Sequence, residues 1–195
     1  MIRPITALLA TALCASASSI TLNFEGFPDS TILTNQYPNI IFSNAIILSA
    51  GISLNEFEFP PHSGVNVVSD NGGPMSINFA NPITSFSGYF TYDEALTIQA
   101  FSASNSQVAS ASSPFSNNMA LSGDPGSSPN ELLAVSFGSG ISSITITGDP
   151  NGGSFVMDDV TITNGHAGSA TPEPGSLLLL SLGALTTISI LRREK

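Results

Sequence analysis

The sequence predicts an all-β fold, an antiparallel two-sheet sandwich of jelly-roll type, with one transmembrane helix near the C-terminus. Three observations predict it. Residues 18–164 alternate short β-rich runs with clusters of Gly, Pro, Asn, Asp and Ser at sandwich-like intervals. No stretch of that body sustains a helical period. The apolar run 175–191 stands apart from the body and ends in Arg192 and Arg193. A length of 195 residues suits one domain.

The first element is a signal peptide over 1–17. Met1 and Arg3 give a charged start, 5–13 is apolar, and Ala15, Ser16 and Ala17 offer a small-residue cleavage site. The apolar run is too short to span a hydrocarbon core of about 30 Å. Leu13, where a lipoprotein signal needs a small residue, precedes Cys14. That cysteine is the only one in the chain and leaves with the signal, so the mature domain has no disulfide.

In the body, strands are expected at 20–24, 40–42, 45–48, 66–68, 76–79, 86–92, 96–101, 132–137, 141–147 and 155–163. Turns are expected at Asp70-Asn71-Gly72-Gly73, Asn81-Pro82, Ser139-Gly140 and Asp149-Pro150-Asn151-Gly152-Gly153, whose residues tolerate or fix the required φ. Ile20, Leu22 and Phe24 share one face of the first strand and Thr21, Asn23 and Glu25 the other. The Ser-rich tract 102–128 reads as an extended loop with at most a weak strand at 107–109. A Gly/Ser/Thr linker over 165–171 leads to the tail, where Pro172, Glu173 and Pro174 keep the backbone extended.

Composition narrows function. The chain has 4 Lys+Arg against 14 Asp+Glu, and the basic residues are Arg3, Arg192, Arg193 and Lys195. Residues 4–191 therefore hold no Lys or Arg, which excludes a basic footprint for nucleic acid and an arginine clamp for phosphates. The body carries twelve acids, all except Glu173 and Glu194, so the processed domain has a formal charge of −12. Its outward strand positions are Ser, Thr and Asn, which suit hydrogen bonding to polysaccharide hydroxyls and equally suit a plain soluble sheet.

Catalytic parts are scarce. His166 lies in the linker, and His62 follows Pro60-Pro61 in an expected exposed loop near Glu56 and Glu58. No GxSxG elbow is present, and sequence spacing does not test whether Glu25, Glu56, Glu58, Asp93, Glu94 or Glu131 form a hydrolytic pair. Asp158 is sharper. It falls in phase with Val156, Val160 and Ile162, so alternation aims it at the apolar side, where it needs a metal, backbone donors or a proton. A hard cation such as calcium would resolve the conflict. Among aromatic residues, Tyr89 and Tyr92 have opposite parity, so at most one faces outward unless the strand bends. Tyr92 is the candidate glycan contact, with core packing the alternative.

The tail, with Pro172-Glu173-Pro174, the Leu-rich stretch 177–191 and the stop Arg192-Arg193, resembles the PEP-CTERM protein-sorting signal of Gram-negative bacteria that make extracellular polysaccharide. The resemblance implies that the domain leaves through the secretion translocon and is held by the helix 175–191, with the basic tail 192–195 on the cytoplasmic side. A membrane-embedded exosortase would then cleave near Pro172–Pro174. Asn23-Phe24-Glu25, the stretch 33–37 followed by Ile41-Phe42-Ser43, and the close Phe155-Val156-Met157-Asp158-Asp159-Val160 resemble sandwich domains that carry this tail and are related in shape to carbohydrate-binding jelly rolls. That likeness implies a calcium joining the first and last strands. The matching residues are Glu25 and Asp158, with Asp159 substituting if a bulge shifts the register.

The reading is a non-enzymatic exported surface or extracellular-matrix protein, structural or adhesive in exopolysaccharide or biofilm, with neutral exopolysaccharide as its expected partner. A carbohydrate-binding module is the alternative, and a secreted hydrolase stands behind it.

Overall fold

Nine antiparallel strands and no helix are found among the described residues, 18–165, of the computed structural model. The signal peptide 1–17, most of the linker and the whole of the sorting tail, including the expected helix 175–191, lie outside the described residues. The strands are β1 (Ser18–Leu22), β2 (Ile40–Ser43), β3 (Ala45–Ser49), β4 (Asn66–Asp70), β5 (Met75–Tyr92), β6 (Thr97–Phe101), β7 (Gln107–Ser112), β8 (Glu131–Thr147) and β9 (Phe155–Asn164).

The sequence predicts two packed antiparallel sheets of about ten strands; the fold is all-β and antiparallel, and hydrogen bonding links its strands into one nine-stranded path in the order β3-β4-β9-β5-β8-β6-β7. In addition, β1 pairs with β9 and β2 with β5. The difference lies in β5 and β8, each expected as two strands and each found as one long bent strand. The first part of β5 pairs with β2 and with the end of β8, Met75 opposite Ile146. Its second part pairs with β9 and the start of β8, Tyr92 opposite Phe155 and Phe90 opposite Glu131. Two registers thus share the same two strands.

The bend sits where turns were expected. Register shifts fall between Asn78 and Ile83 and between Ile83 and Ser85. Pro82 has no N–H to give a ladder, and Gly140 adopts φ +110°, with Pro82 Cβ only 3.0 Å from where a Cβ on Gly140 would lie. Pro and Gly here interrupt pairing without ending the strands, as bulges do.

Alternation places the core as expected in β3 and β6, where buried and partly exposed residues alternate. Phe24, Phe42, Ile47, Ile77, Phe86 and Ile144 belong to one buried cluster drawn from both registers. Each such side chain contributes about 1.5–3 kcal/mol of burial free energy. Ile20, predicted to share that face with Leu22 and Phe24, pairs with Ile162 in the middle of the β1–β9 ladder and is 43% exposed. All five residues of β4 are buried, because Val67 packs on its other face with Leu54 and Val156 in a second small cluster.

The tract expected as a loop contributes a full strand, β7, paired with β6 around a register shift. The loop between β7 and β8 is anchored by fully buried Asn118. Its Oδ1 accepts the Tyr92 N–H at 2.7 Å, and its Nδ2 donates to Phe90 O at 2.9 Å and Ser128 O at 3.0 Å. This side chain does for the loop what a strand partner would do.

Candidate functional site

The segment 60–66, Pro60-Pro61-His62-Ser63-Gly64-Val65-Asn66, leads into β4 and gathers most of the chemistry that the sequence left scattered. Opposite it, β9 is bulged. Ser87 pairs with Thr161 and Tyr89 with Asp158, so one β5 residue faces two of β9, and Asp159 takes φ +43°. The bulge breaks the alternation that would send adjacent side chains to opposite faces. Both Asp158 and Asp159 consequently reach the same segment.

Asp158 is 1% exposed. Its Oδ2 accepts the Ser63 N–H at 2.8 Å and its Oδ1 the Asp159 N–H at 2.7 Å. Burial pushes its carboxyl up to about 6, the neighbouring Asp159 charge adds to the rise, and the two N–H donors oppose it without cancelling it. Asp159 accepts from the Ser63 hydroxyl at 3.0 Å and pairs with His62 Nδ1 at 2.7 Å. The imidazole lies flat on Tyr89, with ring centroids 3.5 Å apart and planes 8° from parallel. The His62 side chain remains 35% exposed.

Glu25 holds the far end of the same segment. Its Oε1 accepts the N–H groups of Val65 at 3.0 Å and Asn66 at 2.8 Å. Its carboxylate covers Gly64, where a Cβ would collide with it, and Gly64 has φ +56°. Buried Asn66 completes the closure by donating to Phe24 O at 3.0 Å and Phe27 O at 2.8 Å, while its Oδ1 accepts from Ser49 Oγ.

The three acids proposed for calcium are thus found on one segment, each with its own donors. Among the described residues, no group of three or more His, Cys, Asp or Glu side chains is arranged to hold a metal ion. Glu25 Oε1 and both oxygens of Asp158 accept amide protons, which occupy directions that a cation would otherwise take.

Nor does the cluster form a catalytic relay. In a Ser-His-acid chain the imidazole lies between hydroxyl and carboxylate; here Ser63 and His62 both bond Asp159, which occupies the middle. Two clefts of about 140 and 170 Å³ are lined by other residues, the first by Ile20, Asn39, Phe79 and Asn164 and the second by Leu48, Leu54 and Phe59.

Tyr92, the candidate glycan contact, is corrected to a core residue. It is fully buried, and its hydroxyl donates to Glu131 Oε2 at 2.5 Å. Burial is the main reason its phenol titrates well above the ordinary range. Tyr89 is covered by His62, and Tyr37 packs among Phe24, Phe27 and Phe42. The sequence places His62 in a plain exposed loop and so misses its part in the cluster. Only the neighbouring prolines signal a fixed segment, and nothing local signals its destination. Pro172, Glu173, Pro174, Arg192 and Arg193 lie outside the described residues.

A search of the curated proteins finds no match. Among solved structures, the K2 cleaved adhesin domain of Lys-gingipain is similar at 15% identity over 74% of this chain and 99% of that one, with a TM-score of 0.45. The K3 cleaved adhesin domain of Lys-gingipain from Porphyromonas gingivalis is similar at 12% identity over 77% and 100%, with a TM-score of 0.40. Residues 170–193 match the PEP-CTERM protein-sorting motif, so the chain carries the sorting signal of an exported exosortase substrate.

Proposed function

We propose that this is a non-enzymatic surface or matrix protein whose jelly-roll-like body does structural or adhesive work among neutral exopolysaccharide chains after an exosortase removes its tail. The observation that carries the sorting half is the PEP-CTERM match over 170–193, which contains Pro172-Glu173-Pro174 and Arg192-Arg193. In this reading the enzyme cuts near the Pro-Glu-Pro segment, and the basic residues stay behind with the anchor.

The adhesive half rests on surface chemistry. Strand positions open to solvent include Gln107, Ser110, Ser112 and Ser136, groups that exchange hydrogen bonds with sugar hydroxyls without needing charge. Twelve acids with no Lys or Arg between residues 4 and 191 repel anionic chains. The segment 60–66 is a structural clamp that needs no cation. Burial of Tyr92 and the cover on Tyr89 remove the aromatic platform that a dedicated carbohydrate-binding module would use.

Two measurements test the proposal. Mass spectrometry of the surface or released form from the native host is expected to show a chain ending near Pro172, and a surface form retaining Arg192-Arg193 would refute the sorting step. Co-sedimentation with the host's own neutral exopolysaccharide is expected to carry the released domain down. Equal recovery without polysaccharide would refute the adhesive role.

A further inference from the structure

The sequence contains three Asn-Gly dipeptides, Asn71-Gly72, Asn151-Gly152 and Asn164-Gly165, and the structure treats them differently. Asn-Gly is the pair most prone to intramolecular cyclisation, because glycine leaves its own amide nitrogen unobstructed and lets the backbone turn toward the asparagine side chain. Whether the reaction proceeds in a folded chain depends on whether that nitrogen and the side-chain amide are free to meet.

At Asn151 they are held. Gly152 N–H donates to Asp149 O at 3.0 Å, and the Asn151 side-chain amide donates to Asp149 Oδ1 at 3.0 Å, with the Asn151 backbone N–H on the same oxygen at 2.7 Å. Asn164 ends β9 in an extended backbone paired with Ser18, and a Cβ on Gly165 would collide with Thr84. Asn71 differs from Asn151 in each of these hydrogen bonds and from Asn164 in lying outside any ladder. Asn71 and Gly72 are both exposed, and Gly72 has φ +83° with open space where a Cβ would lie, while its nitrogen has Gly152 on one side, where a Cβ would come within 2.6 Å. Among the described residues, neither the Asn71 side-chain amide nor the Gly72 N–H has a hydrogen-bond partner; the Asn71 backbone N–H alone is anchored, to Asn44 O at 3.0 Å.

We propose that Asn71 is a site of spontaneous covalent modification in the folded protein. The Gly72 nitrogen loses its proton to hydroxide and attacks Asn71 Cγ. The Cγ–N bond of the side-chain amide breaks, and ammonia leaves with a proton from water, closing a succinimide. Water then opens the ring at either carbonyl, giving aspartate or isoaspartate; the net change is water in and ammonia out. The product adds a carboxylate beside Asp70, which is 3% exposed and already holds the N–H groups of Ser154 at 3.0 Å and Phe155 at 3.1 Å. In the isoaspartate product the turn between β4 and β5 also gains a backbone carbon. A protein that persists outside the cell would thus carry a timer for its own loosening in this turn.

The test is incubation of the full-length protein, at mildly alkaline pH in heavy-oxygen water, followed by chymotryptic peptide mapping, since trypsin finds no site between residues 4 and 191. Heavy oxygen marks each opened ring. Two hydrogen bonds must be given up at Asn151, so conversion at Asn71 is expected to run at least about tenfold faster than at Asn151, and faster than at Asn164, whose backbone is held in the β1–β9 ladder. Rates at Asn71 equal to or below the others would overturn the proposal. In denaturant the three rates are expected to converge, and a ranking that survives unfolding would overturn it as well.

Discussion

Replacing Asp158 by Asn keeps the shape of the buried side chain and removes its titration. In the folded protein burial lifts this carboxyl from an ordinary 3.8 to about 6. The folded state therefore binds the proton more tightly than the unfolded chain. The stabilisation from that proton is fully present below the unfolded value of 3.8 and is lost as pH rises through about 6. A displacement of about two pH units at about 1.4 kcal/mol each gives roughly 3 kcal/mol. At about pH 7.5 the variant exchanges a buried charge for an amide that presents N–H to one of the two donors, so the two proteins should lie within about 1–2 kcal/mol. On acidification to about pH 4, the wild type should gain on Asp158→Asn by roughly 3 kcal/mol, on the order of 10 °C in Tm for a domain of this size. Thermal melts followed by circular dichroism at matched ionic strength read this difference. A difference between the two proteins that stays flat from neutral to acid pH, or one that shrinks, would show that desolvation does not govern Asp158.

Two further outcomes are expected. Asn66→Ala should destabilise by about 2–4 kcal/mol in urea unfolding, because Phe27 O loses the Asn66 donor and Phe24 O keeps only the long bond from Phe27 N–H at 3.4 Å, in a site that is 3% exposed; a loss under about 1 kcal/mol would mean that water replaces the side chain. Chelator should leave the melting temperature of the wild type unchanged, since Glu25 and Asp158 are bonded to amide protons, and a clear fall would return calcium to the first and last strands.

The class of fold was legible because side chains with a period of two mark strands wherever one face is buried, as in β3 and β6. The joining of strands into β5 and β8 was not, since Pro82 and Gly140 carry the same local signal whether the chain turns back or merely bends. Only the partners across the sheet decide which occurs. The same division runs through the site. Val156 packs in the small second cluster and Val160 in the main one, on either side of the bulge, so of the face that alternation assigns to Asp158 only its burial, at 1% exposed, was readable. What satisfies it was not, because its donor Ser63 lies 95 positions away and a one-residue bulge in β9 selects the pairing. Tyr92 shows the reverse error: parity alone leaves its face open, and it is buried in the same core cluster as Phe90, two residues before it.

A body with twelve acids and no Lys or Arg has almost no ion pairs with which to close its loops, and His62 with Asp159 is the salt bridge found among the described residues. The carboxylates are used in another way. Glu58 accepts the N–H groups of Leu121 and Ser122, Asp70 those of Ser154 and Phe155, and Asp124 those of Ser116 and Asn117. Asp29 takes the Ser49 N–H and Asp149 that of Asn151. With Glu25 and Asp158, seven of the twelve acids fasten backbone amides that no ladder reaches. A charged acceptor makes such a bond worth more than a neutral one, and most of them join segments distant in sequence whose donors would otherwise be unpaired. Acidic residues in this chain therefore perform the closure that salt bridges perform elsewhere, and a body without Lys or Arg is compatible with a well-fastened fold.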